Sequence, residues 1–173
     1  MNNLNILELG KYVPAKFIVN DKAFVMRYPE TGIVELDLRD SDIIINQLSF
    51  IIENKTLLLN IDLKDIDYIE INSQKAFDGG LKSEKGLISF RFITAVCIHL
   101  KTKKCYKFIN QDLRLIRELD AYFKAKNIKV VDINNLTEIL KDIKNYNDAH
   151  HLLLPLSTHF RIFFQANEVK KEK

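Results

Sequence analysis

Residues 59–69 read Leu-Asn-Ile-Asp-Leu-Lys-Asp-Ile-Asp-Tyr-Ile, and this stretch decides how the rest of the chain is interpreted. A strand enters a short polar step at Lys64 and Asp65 and leaves it as a second strand, in which apolar and polar residues alternate around Ile66. Alternation with a period of two is typical of a strand that buries one face. The stretch therefore predicts two successive strands that are joined by only a short polar step.

A hairpin and a helix are predicted farther along the chain. The two strands of the hairpin span 88–100 and 105–109, and a lysine-rich tip at 101–104 joins them. Asn110 then offers a helix N-cap, since its side chain can accept a hydrogen bond from a free backbone N–H of the first turn. The helix predicted over 111–126 gathers five apolar side chains on one face. They are Leu115, Ile116, Leu119, Tyr122 and Phe123.

Short β-like runs fill most of the chain before the hairpin, separated by turn signals that are rich in Asn, Asp, Pro and Gly. The predicted strands span 15–20, 23–28, 33–38, 43–47, 48–53 and 56–62. Residues 72–86 hold three of the five glycines together with Lys and Ser, which predicts a loop.

The part of the chain after the helix is predicted to mix both kinds of element. Residues 128–132 predict a strand, and Asn134 or Asn135 caps a second helix that reaches Ile143. Residues 149–166 are compatible with a strand or with a helix, and the pattern leaves this choice open.

Several strands followed by one amphipathic helix resemble the bacterial pleckstrin-homology-like (PH-like) and GRAM-like domains. Two stretches carry the resemblance: the step within residues 59–69, and the hairpin strand with Tyr106 and Phe108 that leads into the helix after Asn110. The resemblance covers roughly residues 33–127. It implies an α+β fold, in which an antiparallel sheet or partly open barrel is capped by a C-terminal amphipathic helix.

The resemblance also implies a domain organisation. Residues 1–127 are expected to form a PH-like, β-rich domain with extra strands at its N-terminus. Residues 128–173 lie outside the pattern and are expected to form a β/α extension packed on that domain. The charged tail at 168–173 is expected to fray.

Phosphoinositide-binding members of the family resemble one another in placing a Lys and an Arg pair around the first hairpin. The corresponding hairpin here reads Arg39-Asp40-Ser41-Asp42 and is more acidic than basic. A carboxylate beside a phosphate repels it, so inositide binding is not expected at this position.

Overall charge and hydropathy exclude some classes of protein. The 173 residues carry 26 Lys and Arg against 23 Asp and Glu, a net charge of +3. Nucleic-acid-binding proteins usually concentrate a larger basic excess in one stripe, so nucleic acid is not an expected partner. No stretch approaches the ~20 apolar residues of a membrane span, and residues 1–10 lack the features of a secretory signal. The expected location is the cytoplasm.

The cysteines and histidines are the candidates for metal or redox chemistry. Cys97 and Cys105 are eight residues apart across the predicted hairpin and could lie close together, but free thiols at apolar strand positions are favoured over a disulfide or a metal pair. A metal-dependent enzyme would use His150, His151 and His159. Adjacent histidines cannot share one face of a helix or strand, and no HExxH or CxxC accompanies them, so no metal or cofactor is predicted.

The sequence contains no catalytic constellation. Its carboxylates at 35–42 and 62–70 fit the solvated polar faces of strands, and the chain lacks GxSxG, GxxxxGK[ST] and GxGxxG. Gly79-Gly80 is followed by no helix that would help to cradle a phosphate. These observations favour a binding module over an enzyme.

Basic residues concentrate between residues 101 and 129, where nine Lys and Arg stand against three acidic residues, an excess of six. Such an excess can steer an acidic partner or a membrane surface. We therefore predict a non-enzymatic adaptor that binds a protein through a sheet edge or through this basic hairpin–helix face. The alternatives are peripheral association with an anionic membrane and, second, the metal-dependent enzyme; a homodimer also stays open. The predicted partner-binding residues are Lys101, Lys103, Lys104, Lys107, Arg114, Arg117 and Lys124.

Overall fold

The computed structural model describes residues 10–25, 33–39, 42–49, 57–77, 90–159 and 161–163. These residues form a mixed β-sheet with a few short helices, which confirms the predicted α+β class. No helix within these ranges combines the length and the apolar character that a membrane crossing requires. The strands are β1 (Tyr12–Val19), β2 (Lys22–Phe24), β3 (Ile33–Leu38), β4 (Asp42–Ser49), β5 (Leu57–Asp62), β6 (Ile66–Phe77), β7 (Phe90–Leu100), β8 (Cys105–Asn110), β9 (Lys129–Asp132) and β10 (Arg161–Phe163). The α-helices are α1 (Leu115–Ala125), α2 (Leu136–Ile139) and α3 (Tyr146–Leu153), and 3-10 helices span Leu63–Asp65 and Leu154–His159.

Eight of the described strands follow one another in the order β10-β6-β7-β8-β1-β3-β4-β5. The chain forms two antiparallel meanders within this order, β3-β4-β5 and β6-β7-β8. β1 lies between the meanders and runs parallel to both neighbours, β3 and β8. β2 folds back on β1 as an antiparallel hairpin, while β9 and β10 both pair with β6 in parallel.

The prediction of an antiparallel sheet is wrong for four pairings, namely β1–β3, β1–β8, β6–β9 and β6–β10. Strands joined by a short turn are antiparallel because the turn reverses the chain. No such turn joins the strands of these four pairs. An alternating pattern identifies each segment as a strand but does not say which strand it will pair with.

The two ends of the sheet approach each other at the polar step. In the strand order, β5 stands at one end and β6 stands next to the opposite end. Along the chain, however, only the 3-10 helix Leu63–Asp65 separates the last residue of β5, Asp62, from the first residue of β6, Ile66. Four residues reach at most about 14 Å, so the sheet must curl around its core. β5 and β6 do not pair within the described residues, and the sheet is therefore not closed. The predicted step between two strands is confirmed.

Helix α1 packs on the core side of the curled sheet. All five apolar side chains predicted for its buried face are buried, which confirms the stripe; they are Leu115, Ile116, Leu119, Tyr122 and Phe123. Alternate residues of the strands meet them, and the rings of Phe17 on β1 and Phe108 on β8 touch edge to face with centroids 6.2 Å apart. Each fully buried apolar side chain of this size contributes roughly 1.5–3 kcal/mol relative to exposure.

Asn110 is fully buried at the end of β8 and connects three strands to the start of the helical region. Its Nδ2 donates to the carbonyl oxygens of Ala15 (2.7 Å) and Phe24 (3.0 Å), and its Oδ1 accepts from the N–H of Asp112 (2.8 Å). The predicted N-cap role is wrong, because α1 begins at Leu115, after a further turn. The side chain stabilises the sheet rather than the first turn of the helix.

Strand β6 is longer than the sequence predicts. It continues to Phe77, so the loop predicted over 72–86 is wrong as far as residue 77, and residues 78–86 lie outside the described residues. The residues at 72–74 are polar, yet they are buried. The Oδ1 of Asn72 accepts from the N–H of Ser73 (2.8 Å), and the hydroxyl of Ser73 donates to the carbonyl of Ile93 (3.1 Å). The Oε1 of Gln74 is buried without a hydrogen-bond partner within the described residues.

Strand β4 runs without a break from Asp42 to Ser49, where the sequence predicted two strands over 43–47 and 48–53. Its residues pair with β5 or β3 except Leu48, where the register shifts opposite Ile33 and Val34. Residues 50–53 lie outside the described residues. The division was wrong because two neighbouring apolar runs look alike whether or not a turn separates them.

The C-terminal segment adds β9, α2, α3 and β10. The strand predicted over 128–132 is confirmed as β9. Helix α2 covers only Leu136–Ile139, and Asn135 occupies its N-cap position, as one of the two predictions had it. The side chain of Asn135 makes no capping hydrogen bond; instead, the two carboxylate oxygens of Asp132 accept from the N–H groups of Leu136 (2.8 Å) and Thr137 (2.7 Å). The stretch that the pattern left open contains both kinds of element, helical residues up to His159 and then β10.

The role of Asn110 predicts a specific loss of stability. Asn110→Ala leaves the carbonyls of Ala15 and Phe24 without this donor, and each buried unsatisfied polar group costs about 1–3 kcal/mol. We expect the free energy of unfolding to fall by about 2–4 kcal/mol, measured as a lower urea midpoint. Asn60→Ala, at an exposed position of β5, is the control and should change the midpoint little. Equal midpoints for the two variants would contradict the assigned role.

Candidate functional site

A groove of about 410 Å³ lies where the polar step, the β7–β8 hairpin and the C-terminal end of α1 meet. Four of its nine lining residues are lysines and one is an aspartate. The lining residues are Leu63, Lys64, Ile66, Asp67, Lys101, Lys126, Asn127, Ile128 and Lys129. Because these residues come from three different parts of the chain, the groove exists only in the folded protein.

Hydrogen bonds hold the polar step against the hairpin. The Oδ1 of Asp62 accepts from the N–H of Lys64 (3.0 Å), and its Oδ2 pairs with the Nζ of Lys64 (2.7 Å). The hydrogen bond from Lys64 lowers the pKa of the Asp62 carboxyl. Lys101 at the hairpin tip donates from its backbone N–H to the carbonyl of Asp65 (2.9 Å) and from its Nζ to the carbonyl of Lys64 (2.6 Å).

The opposite wall is formed where α1 ends in a Schellman motif. The N–H of Asn127 donates to the carbonyl of Lys124 (3.0 Å), and the N–H of Ile128 donates to the carbonyl of Phe123 (2.9 Å). Asn127 takes the left-handed conformation that this motif requires, with φ of 58°. The motif turns the chain from the helix directly into β9 and so places Lys126 and Lys129 at the groove.

Three of the groove lysines have no carboxylate partner among the described residues. The Nζ of Lys126 lies 5.9 Å from the ring centroid of Tyr122, and the Nζ of Lys129 lies 6.0 Å from that of Tyr68. The Nζ of Lys101 binds only a backbone carbonyl in the described part of the chain. Contacts with an aromatic face or a carbonyl leave the ammonium charge uncompensated, so this groove attracts anions.

The structure divides the seven predicted binding residues among different surroundings. Lys101 lines the groove, and Lys103 and Lys104 are exposed on the adjacent hairpin tip. Lys107 lies on the face of the sheet that points away from α1, with its Nζ 5.8 Å from the ring centroid of Tyr12.

The three helical members of the predicted set bind within the chain itself. Arg114 pairs with Asp112, Lys124 pairs with Asp120 (2.8 Å), and Arg117 donates to the backbone carbonyl of Lys141. Carboxylates therefore compensate the charges of Arg114 and Lys124, whereas the bond of Arg117 to a carbonyl fixes its position without compensating its charge. Of the groove lysines, the predicted set contains only Lys101; Lys64, Lys126 and Lys129 were missed. Lys64 is distant in the chain, and the antiparallel pairing of β6 with β7, which sets Ile66 opposite Leu100, brings it to the hairpin.

The C-terminal histidines do not form a metal site within the described residues. His150 is partly buried on α3, and its ring centroid lies 5.6 Å from that of Phe92. His151 is exposed, and its ring centroid lies 6.2 Å from that of His150. Neither belongs to a group of three potential ligands in the described part of the chain. The side chain of His159 lies outside the described residues.

A second polar cluster lies on the sheet face opposite α1. Strand register places Glu70 beside Cys97, Tyr68 beside His99, and His99 beside Cys105. Both cysteines are free thiols, and the prediction that they could lie near each other is confirmed. The hydrogen bond from the Cys105 thiol lowers the pKa of Cys97 to about 7, and the same bond raises the pKa of Cys105.

Comparisons with known proteins provide no relative from which a function could be transferred. No family model matches the chain, and no curated protein or solved structure matches it. Function must therefore be inferred from the groove, the cluster and their charges.

The Schellman motif that shapes the groove predicts a backbone effect at Asn127. A residue with a β-carbon pays a steric cost of roughly 1–2 kcal/mol in the left-handed region, which asparagine tolerates better than alanine and glycine avoids. We expect Asn127→Ala to lower the free energy of unfolding by about 1 kcal/mol, and Asn127→Gly to leave it unchanged or raise it. Urea denaturation of both variants measures this. An equal loss in both would assign the effect to the asparagine side chain instead.

Proposed function

We propose that the chain is a non-enzymatic binding module that takes an acidic segment of a partner protein into the lysine-lined groove. The observation that carries the proposal is the convergence of Lys101, Lys126 and Lys129, from two distant parts of the chain, without a carboxylate partner among the described residues. Holding like charges together opposes folding unless an anion compensates them. An acidic ligand would supply that compensation.

The shape of the groove favours a polypeptide over a membrane. Its volume of about 410 Å³ lies in the usual range for a ligand pocket, roughly 300–1,000 Å³. Lysines that line a concavity can surround one or two acidic side chains. A flat membrane would instead meet protruding residues first, such as Lys103 and Lys104 on the hairpin tip. Membrane association through that tip is therefore the alternative that the experiment must separate.

The PH-like assignment for residues 33–127 is part of the proposal. Two antiparallel meanders followed by the amphipathic α1 support it, as does the 3-10 step between β5 and β6. In this view β1 and β2 are N-terminal additions, and the parallel β1 joins the two meanders. β9 and β10 belong to an extension that covers the outer edge of β6. A scaffold of this kind suits binding, because a rigid sheet holds the groove lysines in place.

The test uses a fluorescently labelled peptide of alternating Glu and Gly as the acidic probe and fluorescence polarisation as the readout. Lys126→Glu/Lys129→Glu should weaken binding at low salt by roughly tenfold or more, since each reversal replaces an attraction by a repulsion. Lys141→Glu/Lys144→Glu is the matched control. It changes the net charge equally, has the same spacing of three residues, and lies at exposed positions outside the groove.

Two results would reject the proposal. Equal loss in both double variants would show that the probe responds to net charge alone. Cosedimentation with anionic phosphatidylserine vesicles that is abolished by Lys103→Glu/Lys104→Glu, with no peptide binding by the unmodified chain, would support the membrane alternative. Added salt should weaken peptide binding in the groove, because the lysines remain accessible to counterions.

A further inference from the structure

Three potential metal ligands converge on the sheet face opposite α1, apart from the groove. The ligand atoms of Cys97, His99 and Cys105 all lie within 4.8 Å of one another. The Nε2 of His99 lies 3.9 Å from the Sγ of Cys105 and 3.6 Å from the Oε2 of Glu70. This brings two thiols, one imidazole and one carboxylate together on the adjacent strands β6, β7 and β8.

These separations are close to those that a tetrahedral ion imposes. Zinc holds sulfur at about 2.3 Å and nitrogen or oxygen at about 2.0–2.2 Å, which places neighbouring ligand atoms about 3.3–3.8 Å apart. The two measured distances to the Nε2 of His99 exceed the corresponding tetrahedral values by only a few tenths of an ångström. Small side-chain rotations would therefore be enough for Cys97, His99 and Cys105. Glu70 lies near His99 but outside the group whose ligand atoms are all within 4.8 Å of one another, so its carboxylate has to turn towards the sulfur atoms.

Strand register favours a shared ion over a disulfide. Cys105 pairs directly with His99, whereas Cys97 pairs with Lys107, so the two cysteines occupy diagonal positions. Diagonal residues of an antiparallel pair have Cα atoms roughly 7–8 Å apart, and disulfides usually need about 4.4–6.8 Å. An ion between the sulfur atoms tolerates the wider spacing, and a direct S–S bond would require the strands to shift.

Neighbouring side chains would orient and balance the ligands. The ring of Tyr68 stacks on the ring of His99, with centroids 4.1 Å apart and planes 12° from parallel, which restrains the imidazole. The hydroxyl of Tyr12 lies 3.5 Å from the Sγ of Cys97 and could donate to a thiolate. Lys107, the register partner of Cys97, adds a positive charge beside the two sulfur atoms. Supporting groups of this kind commonly surround metal sites.

We propose that Cys97, His99 and Cys105 bind a divalent ion of the zinc class with Glu70 as the fourth ligand. A set of two thiolates and one imidazole binds zinc in preference to magnesium or calcium. Both thiols lose their protons to the solvent when the ion binds. The ion and its three anionic ligands then carry one net negative charge, which Lys107 offsets. Cys97 is buried while the other three side chains are partly exposed, so the ion has a route of entry.

The proposal is tested on the reduced full-length chain with Co²⁺ and Zn²⁺ as probes. Co²⁺ should bind one ion per chain and show a thiolate-to-cobalt charge-transfer band together with the intense visible bands of a tetrahedral site. Zn²⁺ should displace it. Cys105→Ser and His99→Gln should each lower the Zn²⁺ affinity at least tenfold in competition with a chromogenic chelator. His151→Gln, an exposed histidine on α3, is the matched control and should leave the affinity unchanged.

Two conservative variants keep the proposal testable if Cys105→Ser or His99→Gln fails to fold. Glu70→Gln keeps the shape of the side chain but replaces the anionic ligand, and Tyr12→Phe removes only the hydroxyl near Cys97; several-fold losses of affinity are expected for both. Absence of the charge-transfer band would overturn the proposal, and so would a Zn²⁺ affinity of Cys105→Ser equal to that of the unmodified chain. Quantitative formation of an intramolecular disulfide with oxidised glutathione would also overturn it, and would identify the cysteines as a redox pair.

Discussion

Along one of its edges, each of the strands β1 and β6 pairs first with one strand and then with another. The backbone groups between the two paired stretches must still be hydrogen-bonded. On β1 the edge passes from β8, which pairs with residues 12–14, to β2, which pairs with residues 17–19. The amide of Asn110 fills the interval by donating to the carbonyl of Ala15. This buried side chain therefore helps to hold β1 in its place between the two meanders.

The edge of β6 shows the same solution. It pairs with β9 at residues 68–71 and with β10 at residues 74–76. In the interval the Oδ1 of Asn72 accepts from the N–H of Ser73 and from the Nδ2 of Asn134, 3.1 Å away. A buried asparagine suits both places because its amide offers donors and acceptors without a charge that would need compensation. These asparagines look like ordinary polar residues in the sequence.

Local order was predictable from the sequence, and long-range pairing was not. The bounds of β3, the step at Leu63–Asp65 and the buried face of α1 follow from alternation or from helical spacing, signals that reside in consecutive residues. The parallel partners of β1, β9 and β10 depend on contacts between distant segments. The candidate site divides in the same way: Lys101 was found because basic residues cluster around it in the sequence, whereas Lys64 joins the groove only through the fold.

Tyr68 links the groove to the cluster of potential metal ligands. It pairs with Lys129 of β9 on one side and with His99 of β7 on the other, so its ring contacts a lysine of the groove and the imidazole of the cluster. Ammonium groups attract anions and repel metal ions, whereas thiols and imidazole bind metal ions. The aromatic ring between them is compatible with both, because its face accepts a cation and also stacks on a neutral imidazole. A groove that attracts anions and a cluster that suits a metal ion can therefore both adjoin β6, since Tyr68 between them carries no charge.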